Sequence, residues 1–222
     1  MGKNKDDRII EELEEFVSEH KKEFIDRVLH RRTRHLTLVF EDIEKPHNIN
    51  AVLRTAECMG IQDIHFIQNN KGFEINTSIT QGAAKWLSFY THPSPESVEN
   101  CYNKLRNEGY AIYATSLHET SISINDIDPG IKTAIVFGTE SDGISKEAGE
   151  KADGFVHIPM QGFTESYNLS VSAALCLNTL MQKLEAGFPP ISTEEQKCLK
   201  AEWYRRIVRE ADLILKKRGV VL

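Results

Sequence analysis

The sequence predicts an α/β fold, a mostly parallel sheet with helices on both faces. Three observations carry this. Short apolar runs rich in branched and aromatic residues recur at Leu36–Phe40, Ile64–Ile67, Tyr110–Thr115, Thr133–Phe137 and Phe155–Pro159. They are mostly apolar, as expected of strands buried on both faces. Helix-forming stretches with their own caps and breakers stand between them, and such alternation implies parallel crossovers.

Residues 5–33 are charged and rich in helix formers, so they predict one or two surface helices. Leu36–Phe40 is a buried strand. Pro46-His47-Asn48 interrupts the pattern, and Asn48 is a candidate N-cap for a helix over Ile49–Met59, closed by Gly60. Ile64–Ile67 is the second strand. A short helix is expected over 78–85. Pro95 opens a helix over Ser94–Asn107, which ends at Gly109. Strands follow at Tyr110–Thr115 and Thr133–Phe137, then a short helix over Gly143–Ala152 and a last strand at Phe155–Pro159. Asn168–Leu184 is a long apolar helix stopped by Gly187-Phe188-Pro189-Pro190. Gly187–Ser192 resembles a linker, and a single final helix is expected from Thr193 to Arg218.

This divides the 222 residues into a helical N-terminal extension (1–35), a central α/β domain (36–187) and a basic C-terminal helix (188–222). A hydrophobic content of 40% suffices for one ordinary core. No apolar run approaches the roughly 20 residues of a membrane span, and the polar, acidic N-terminus is unlike a signal peptide. The four cysteines lie far apart without a CxxC pair, which argues against a metal site or disulfide framework and for a reducing cytoplasm. The net charge of −6 is unevenly spread: residues 21–34 carry +4, residues 197–219 carry +5, and the remainder carries −15. Two basic segments therefore flank an acidic middle, and distribution matters more than the total for nucleic-acid binding.

A parallel sheet of this kind binds its ligand at the carboxyl ends of the strands. The usual nucleotide motifs are missing there. No GxGxxG follows the first strand. Gly138-Thr-Glu-Ser-Asp-Gly143 has P-loop glycine spacing, but Ile144 stands where the phosphate-binding lysine belongs, and two acids would repel a triphosphate. No GxSxG elbow exists.

Three polar loops remain. In Lys45-Pro-His-Asn48-Ile-Asn-Ala-Val-Leu-Arg54, Asn48 and Arg54 are six residues apart on a helix; the plainer alternative is a cap and a solvated arginine. In Phe137-Gly138-Thr-Glu140-Ser-Asp-Gly143, a strand delivers Glu140 into a glycine-rich turn where Gly138 lets a ligand approach the backbone. The alternative is a tight loop capped by Ser141 or Asp142. In Ile158-Pro-Met160-Gln-Gly-Phe-Thr-Glu-Ser166-Tyr-Asn168-Leu-Ser-Val-Ser, Ser166 and Asn168 are either caps or site residues.

Taken together and in this order, the three segments resemble the motifs of the SpoU/TrmH family, a branch of the SPOUT RNA 2′-O-ribose methyltransferases. The resemblance covers residues 36–185. It implies a C-terminal part threaded as a deep trefoil knot, an exception to the no-threading rule. It also implies S-adenosylmethionine as cofactor, a homodimer with the site at its interface, and a pocket lined by Thr115, Gly138, Ile158, Met160, Tyr167 and Leu169. Backbone groups of Gly138 and Ile158 would meet the adenine, although the family often has Leu where Tyr167 stands. The helices that follow Asn48 and Asn168 are the candidate dimer surfaces.

The resemblance assigns catalysis to Arg54, with Asn48, Glu140, Ser166 and Asn168 orienting it and the ribose. Family proposals make the arginine a base. Arginine essentially never loses its proton in a protein, so a cation that stabilises the developing alkoxide and grips a phosphate is the better role. Glu140 would hold its guanidinium in a bidentate pair. For RNA, the basic segments offer Arg27, Arg31, Arg32 and Arg34 on one side. Arg205, Arg209 and Lys216 would share one face of the last helix. The alternative is a solvated helix surface. Length and basic flanks resemble the family members that methylate a guanosine in the transfer-RNA D-loop. Ribosomal-RNA methylation and a non-catalytic RNA-binding module of the same fold are the competing readings, and neither a membrane nor a metal is expected.

Overall fold

The computed structural model describes residues 4–43, 45–69, 82–184 and 187–220. The chain forms two compact units, residues 33–189 and residues 1–32 with 190–222.

The larger unit holds seven strands: β1 Leu36–Glu41, β2 Asp63–Gln68, β3 Ser88–Pro93, β4 Ala111–Thr115, β5 Ile122–Ser123, β6 Thr133–Phe137 and β7 Gly154–His157. They form one sheet in the order β3-β2-β1-β6-β4-β7-β5, with every pair parallel. Four helices cover it: α3 Pro46–Cys58, α4 Ser97–Asn107, α5 Lys146–Lys151 and α6 Leu169–Gln182; the labels α1, α2, α7 and α8 belong to the other unit. Alternate residues of each strand serve the two faces. Leu36, Leu38 and Phe40 of β1 pack with Ile135 and Phe137 of β6 under α3 and α6. Val39, Ala134, Val136 and Ile112 pack under α4 and α5. Strands buried on both sides explain why the sequence shows mostly apolar runs there.

Several boundaries differ from expectation. β3 and β5 are additional strands: Ser88–Pro93 mixes exposed and buried residues at a sheet edge, and β5 has two residues. The helix expected over 78–85 falls partly outside the described residues; within them only a single 3₁₀ turn, Ala84–Trp86, is present. The short helix begins at Lys146 rather than Gly143, and Ser145 caps it by accepting from Ala148 N–H at 3.1 Å. Neither Ser141 nor Asp142 is the cap.

In the smaller unit, α1 Lys5–Leu13 and α2 Glu19–Leu29 pack against α7 Thr193–Ile207, and α8 Ala211–Lys217 follows. Ile9, Leu13, Ile25 and Leu29 are buried, as are Leu199, Trp203, Tyr204 and Leu215. Ser192 and Glu195 form a reciprocal capping box at the start of α7. The single helix expected over 193–218 is thus two. Val208 leaves the helical conformation and Glu210 takes φ 55°, a turn that buries Ala211 and Leu215. Tertiary burial overrides a favourable helix propensity here.

Candidate active site at the carboxyl ends of the strands

The loops leaving β4, β6 and β7, with the first turn of α6, enclose a cavity of about 470 Å³. Its wall includes Thr115 and Leu117 after β4, Gly138 and Glu140 after β6, and Ile158 and Met160 after β7. Ser166, Tyr167, Asn168 and Leu169 complete it. All six residues that the motifs nominated for the cofactor pocket therefore meet at one cavity. His157, Glu165, Ser172 and Cys176 line it as well; nothing in their sequence context marked them.

The loop after β6 owes its shape to Gly138. A Cβ there would sit 1.9 Å from the Gly143 carbonyl oxygen. That closeness comes from a pair of backbone hydrogen bonds between Thr139 and Gly143, at 2.9 and 3.1 Å. Glycine is required here by the loop's own backbone, as the tight-loop alternative anticipates, whether or not a ligand also approaches it. Gly143 takes φ 71° to close the turn.

A connected set of polar side chains stands beside this loop. Pro46 occupies the first helical position of α3 and Lys45 is the N-cap. Asn48 is therefore inside the first turn rather than capping it, and it is only 4% exposed. It donates through Nδ2 to one oxygen of Glu140, while Lys45 Nζ engages the other. Asn168 Nδ2 donates to Asn48 Oδ1 at 3.2 Å. Asn168 Oδ1 in turn accepts from Ser170 N–H at 2.9 Å and caps α6. Three loops far apart in sequence are thereby tied through Lys45, Glu140, Asn48 and Asn168.

Arg54 is placed differently. Six residues beyond Asn48, it lies about 120° around the helix, on an exposed face and away from the cavity wall. Glu140's oxygens are held by Asn48 and Lys45, which replaces the bidentate Glu140–Arg54 pair expected from sequence. Lys45 is the member of the set that sequence reasoning missed; a lysine before Pro46 has no distinguishing signal.

The nominated RNA-binding cations separate into two groups. Arg32 is buried at 1% exposure, its guanidinium 5.3 Å from the Trp203 ring. Arg34 is ion-paired with buried Asp63 at 2.8 Å. Both hold the fold. Arg205 pairs with Asp212 at 2.9 Å across the α7–α8 break, so the single stripe expected with Arg209 and Lys216 does not form on one helix. Arg27, Arg31, Arg209 and Lys216 are exposed.

A second titratable cluster lies elsewhere, under α4. His65, His92 and Cys101 are buried within 4.8 Å of one another. His65 Nδ1 and His92 Nε2 share a hydrogen bond of 3.1 Å. Burial, then the neighbouring His92 and Lys104, push His65 down to about 3. Burial also lowers His92 and raises Cys101. The three are neutral at physiological pH.

The family model described as the SpoU rRNA methylase family matches residues 35–178, which include all three loops. The chain belongs to the SpoU family. It is 35% identical over 204 residues to a tRNA (guanosine(18)-2′-O)-methyltransferase of Borreliella burgdorferi, covering 91% of this chain and 92% of that one. A crystal structure of the Aquifex aeolicus TrmH/SpoU tRNA modifying enzyme superposes with a TM-score of 0.73 at 29% identity, covering 85% of this chain and 98% of that one. An AdoMet-bound rRNA methyltransferase of Sinorhizobium meliloti shares the fold, with a TM-score of 0.61 at 20% identity, over 71% of this chain and 59% of that one. The fold described above is thus that of a SpoU protein, and no described helix is long and apolar enough to cross a membrane.

Proposed function

We propose that this chain transfers a methyl group from S-adenosylmethionine to a ribose 2′-hydroxyl of transfer RNA, at a guanosine of the D-loop. The observation that carries this is that the second and third polar loops line one cavity and the first is tied to them through Asn48, which bonds Glu140 and Asn168, in a chain whose relative over nine-tenths of its length is a tRNA (guanosine(18)-2′-O)-methyltransferase. The cytoplasm is a compartment that suits this activity.

The cavity suits the cofactor. Leu117, Ile158, Met160 and Leu169 offer apolar surface to a flat base, while Glu140 and Glu165 offer negative charge to a sulfonium. Thr115, Gly138, Tyr167 and the backbone of Ile158 complete the binding wall. The cofactor supplies a methyl group that is already activated, so the protein's task is positioning and help with the hydroxyl proton. Asn48 and Asn168 fix Glu140 beside the cavity through the hydrogen bonds described above. Ser166 is on the wall, within reach of an acceptor ribose. Arg54 stays cationic and stabilises the developing alkoxide.

Arg54 is exposed and does not line the cavity of its own chain, which favours a homodimer in which each cavity receives the partner subunit's Arg54. Tyr167 on the cavity wall, Val171 in the first turn of α6 and Phe163 in the loop before it are exposed apolar residues and suit such an interface. The place of β7 between the earlier strands β4 and β5 in the sheet order is compatible with the knotted C-terminal part that the family resemblance implies. Arg27, Arg31, Arg209 and Lys216 are the cations available to the RNA backbone; such contacts add affinity without reading bases.

The test is methyl transfer from labelled S-adenosylmethionine to unmodified bulk tRNA, followed by nuclease digestion. A 2′-O-methylguanosine mapped to the D-loop is expected. Label in ribosomal RNA alone, or in neither RNA, would overturn the assignment.

A further inference from the structure

A smaller cavity of about 250 Å³ adjoins the first and is lined by Ile43, Lys45, Thr139, Glu140 and Ser141. Thr139 and Glu140 belong to both walls, so Glu140 stands on the partition. A methyl transfer needs donor and acceptor in separate pockets whose reacting atoms meet at about 3–3.5 Å. Two cavities sharing one wall provide that arrangement. We infer that the smaller cavity receives the acceptor nucleotide and that Lys45 grips the phosphate beside the ribose to be methylated. This rests on the RNA-methyltransferase reading above.

The chemistry of the wall supports this occupant. Ile43 is buried and gives one apolar surface; Ser141 and Thr139 give hydroxyls that suit a sugar. Lys45 is the cation on the wall, and its side chain is 56% exposed. It stands at the N-terminus of α3, a helix of 13 residues whose dipole adds to the positive potential. In the free protein the ammonium is paired with Glu140. An ion pair so open to solvent contributes little, so a phosphate can take the ammonium in exchange. Lys45 thus orders Glu140 before RNA arrives and holds the RNA afterwards.

The experiment compares wild type with Lys45→Ala and Lys45→Arg, measuring tRNA binding against salt, KM for tRNA, kcat and S-adenosylmethionine affinity. Lys45→Ala is expected to raise KM for tRNA about tenfold and to reduce the slope of log affinity against log salt by about one. Cofactor affinity should be unchanged, and Lys45→Arg should recover most of the loss. An unaltered KM and salt slope in an active protein overturns the acceptor-pocket assignment while leaving the methyltransferase reading intact. A fall in kcat alone leaves Lys45 only a positioning residue for Glu140, and a parallel loss of cofactor affinity moves it to the larger cavity; each rejects the proposal. A wild type that methylates no RNA overturns the underlying reading itself.

Discussion

The larger unit contains two clusters of polar side chains that differ in almost every physical respect. One lies under α4 at the β2–β3 edge: His65, His92 and Cys101, with the Asp63–Arg34 pair nearby on β2. It is dry, enclosed and strongly perturbed. The other lies at the carboxyl ends of the strands: Lys45, Asn48, Glu140 and Asn168. It is partly solvated and borders two cavities. Shifted acidities are commonly taken to mark functional sites, yet here the closed cluster, which lines neither cavity, carries large shifts of its own. They record burial. What separates a reacting site from a polar core is access, together with side chains drawn from loops that a ligand must touch at once.

The sharpest way to break this comparison is at Arg54. Arg54→Ala should lower kcat by about two to three orders of magnitude while cofactor affinity, measured by calorimetry, stays nearly constant. Mixing Arg54→Ala with Asn168→Ala subunits should restore about a quarter of wild-type turnover if the arginine acts across a two-fold dimer. A mixture as inactive as its parents would place Arg54 in its own subunit's site.

Gly138→Ala comes next. The added methyl would collide with the Gly143 carbonyl, so the loop must open. S-adenosylmethionine affinity should fall at least about tenfold, the cost of displacing a backbone that lines the pocket. Affinity within twofold of wild type would remove this loop from the binding wall.

Smaller effects are expected at the closed cluster, and they appear in stability rather than turnover. His65 stays neutral in the folded chain down to about pH 3, whereas an unfolded histidine takes up its proton near ~6.5. Between those values the unfolded state binds more protons, so stability falls as pH drops, by at most about 1.4 kcal/mol per pH unit. Asp63 acts oppositely. Burial outweighs its ion pair with Arg34 and raises it to about 6, so from there to the ordinary carboxylate range the folded state binds more protons and stability rises as pH drops. Asp63→Asn removes this opposing contribution. Urea midpoints measured from pH 6 to 4 should then fall more steeply than in wild type; an unchanged or shallower slope contradicts the assignment.

Sequence legibility followed the same division. Strands such as Leu36–Glu41 and Thr133–Phe137 were readable because burial on both faces leaves a mostly apolar run. Asn168 was readable as a cap because its side chain satisfies α6 locally. Gly138, Glu140 and Asn168 were readable as site residues only through their joint resemblance to a family, since each alone has an ordinary structural reading. Lys45 was invisible, because its significance is a partner 95 residues away. The break between α7 and α8 was equally hidden: it depends on burying Ala211 and Leu215, not on a Gly or Pro. Arg32 shows the converse error, where a run of basic residues concealed one that is buried against Trp203.

On the proposed function, chemistry belongs to the open cluster and not to the closed one. Single-turnover methylation of tRNA by Glu140→Ala and Cys101→Ala, run beside wild type with saturating S-adenosylmethionine, tests it most directly. Glu140→Ala should slow the step about 100-fold or more, while Cys101→Ala, at full occupancy of the folded state, should remain within about twofold of wild type, its cost confined to about 1 kcal/mol of stability. Normal turnover by Glu140→Ala, or a comparable loss in folded Cys101→Ala, would contradict it.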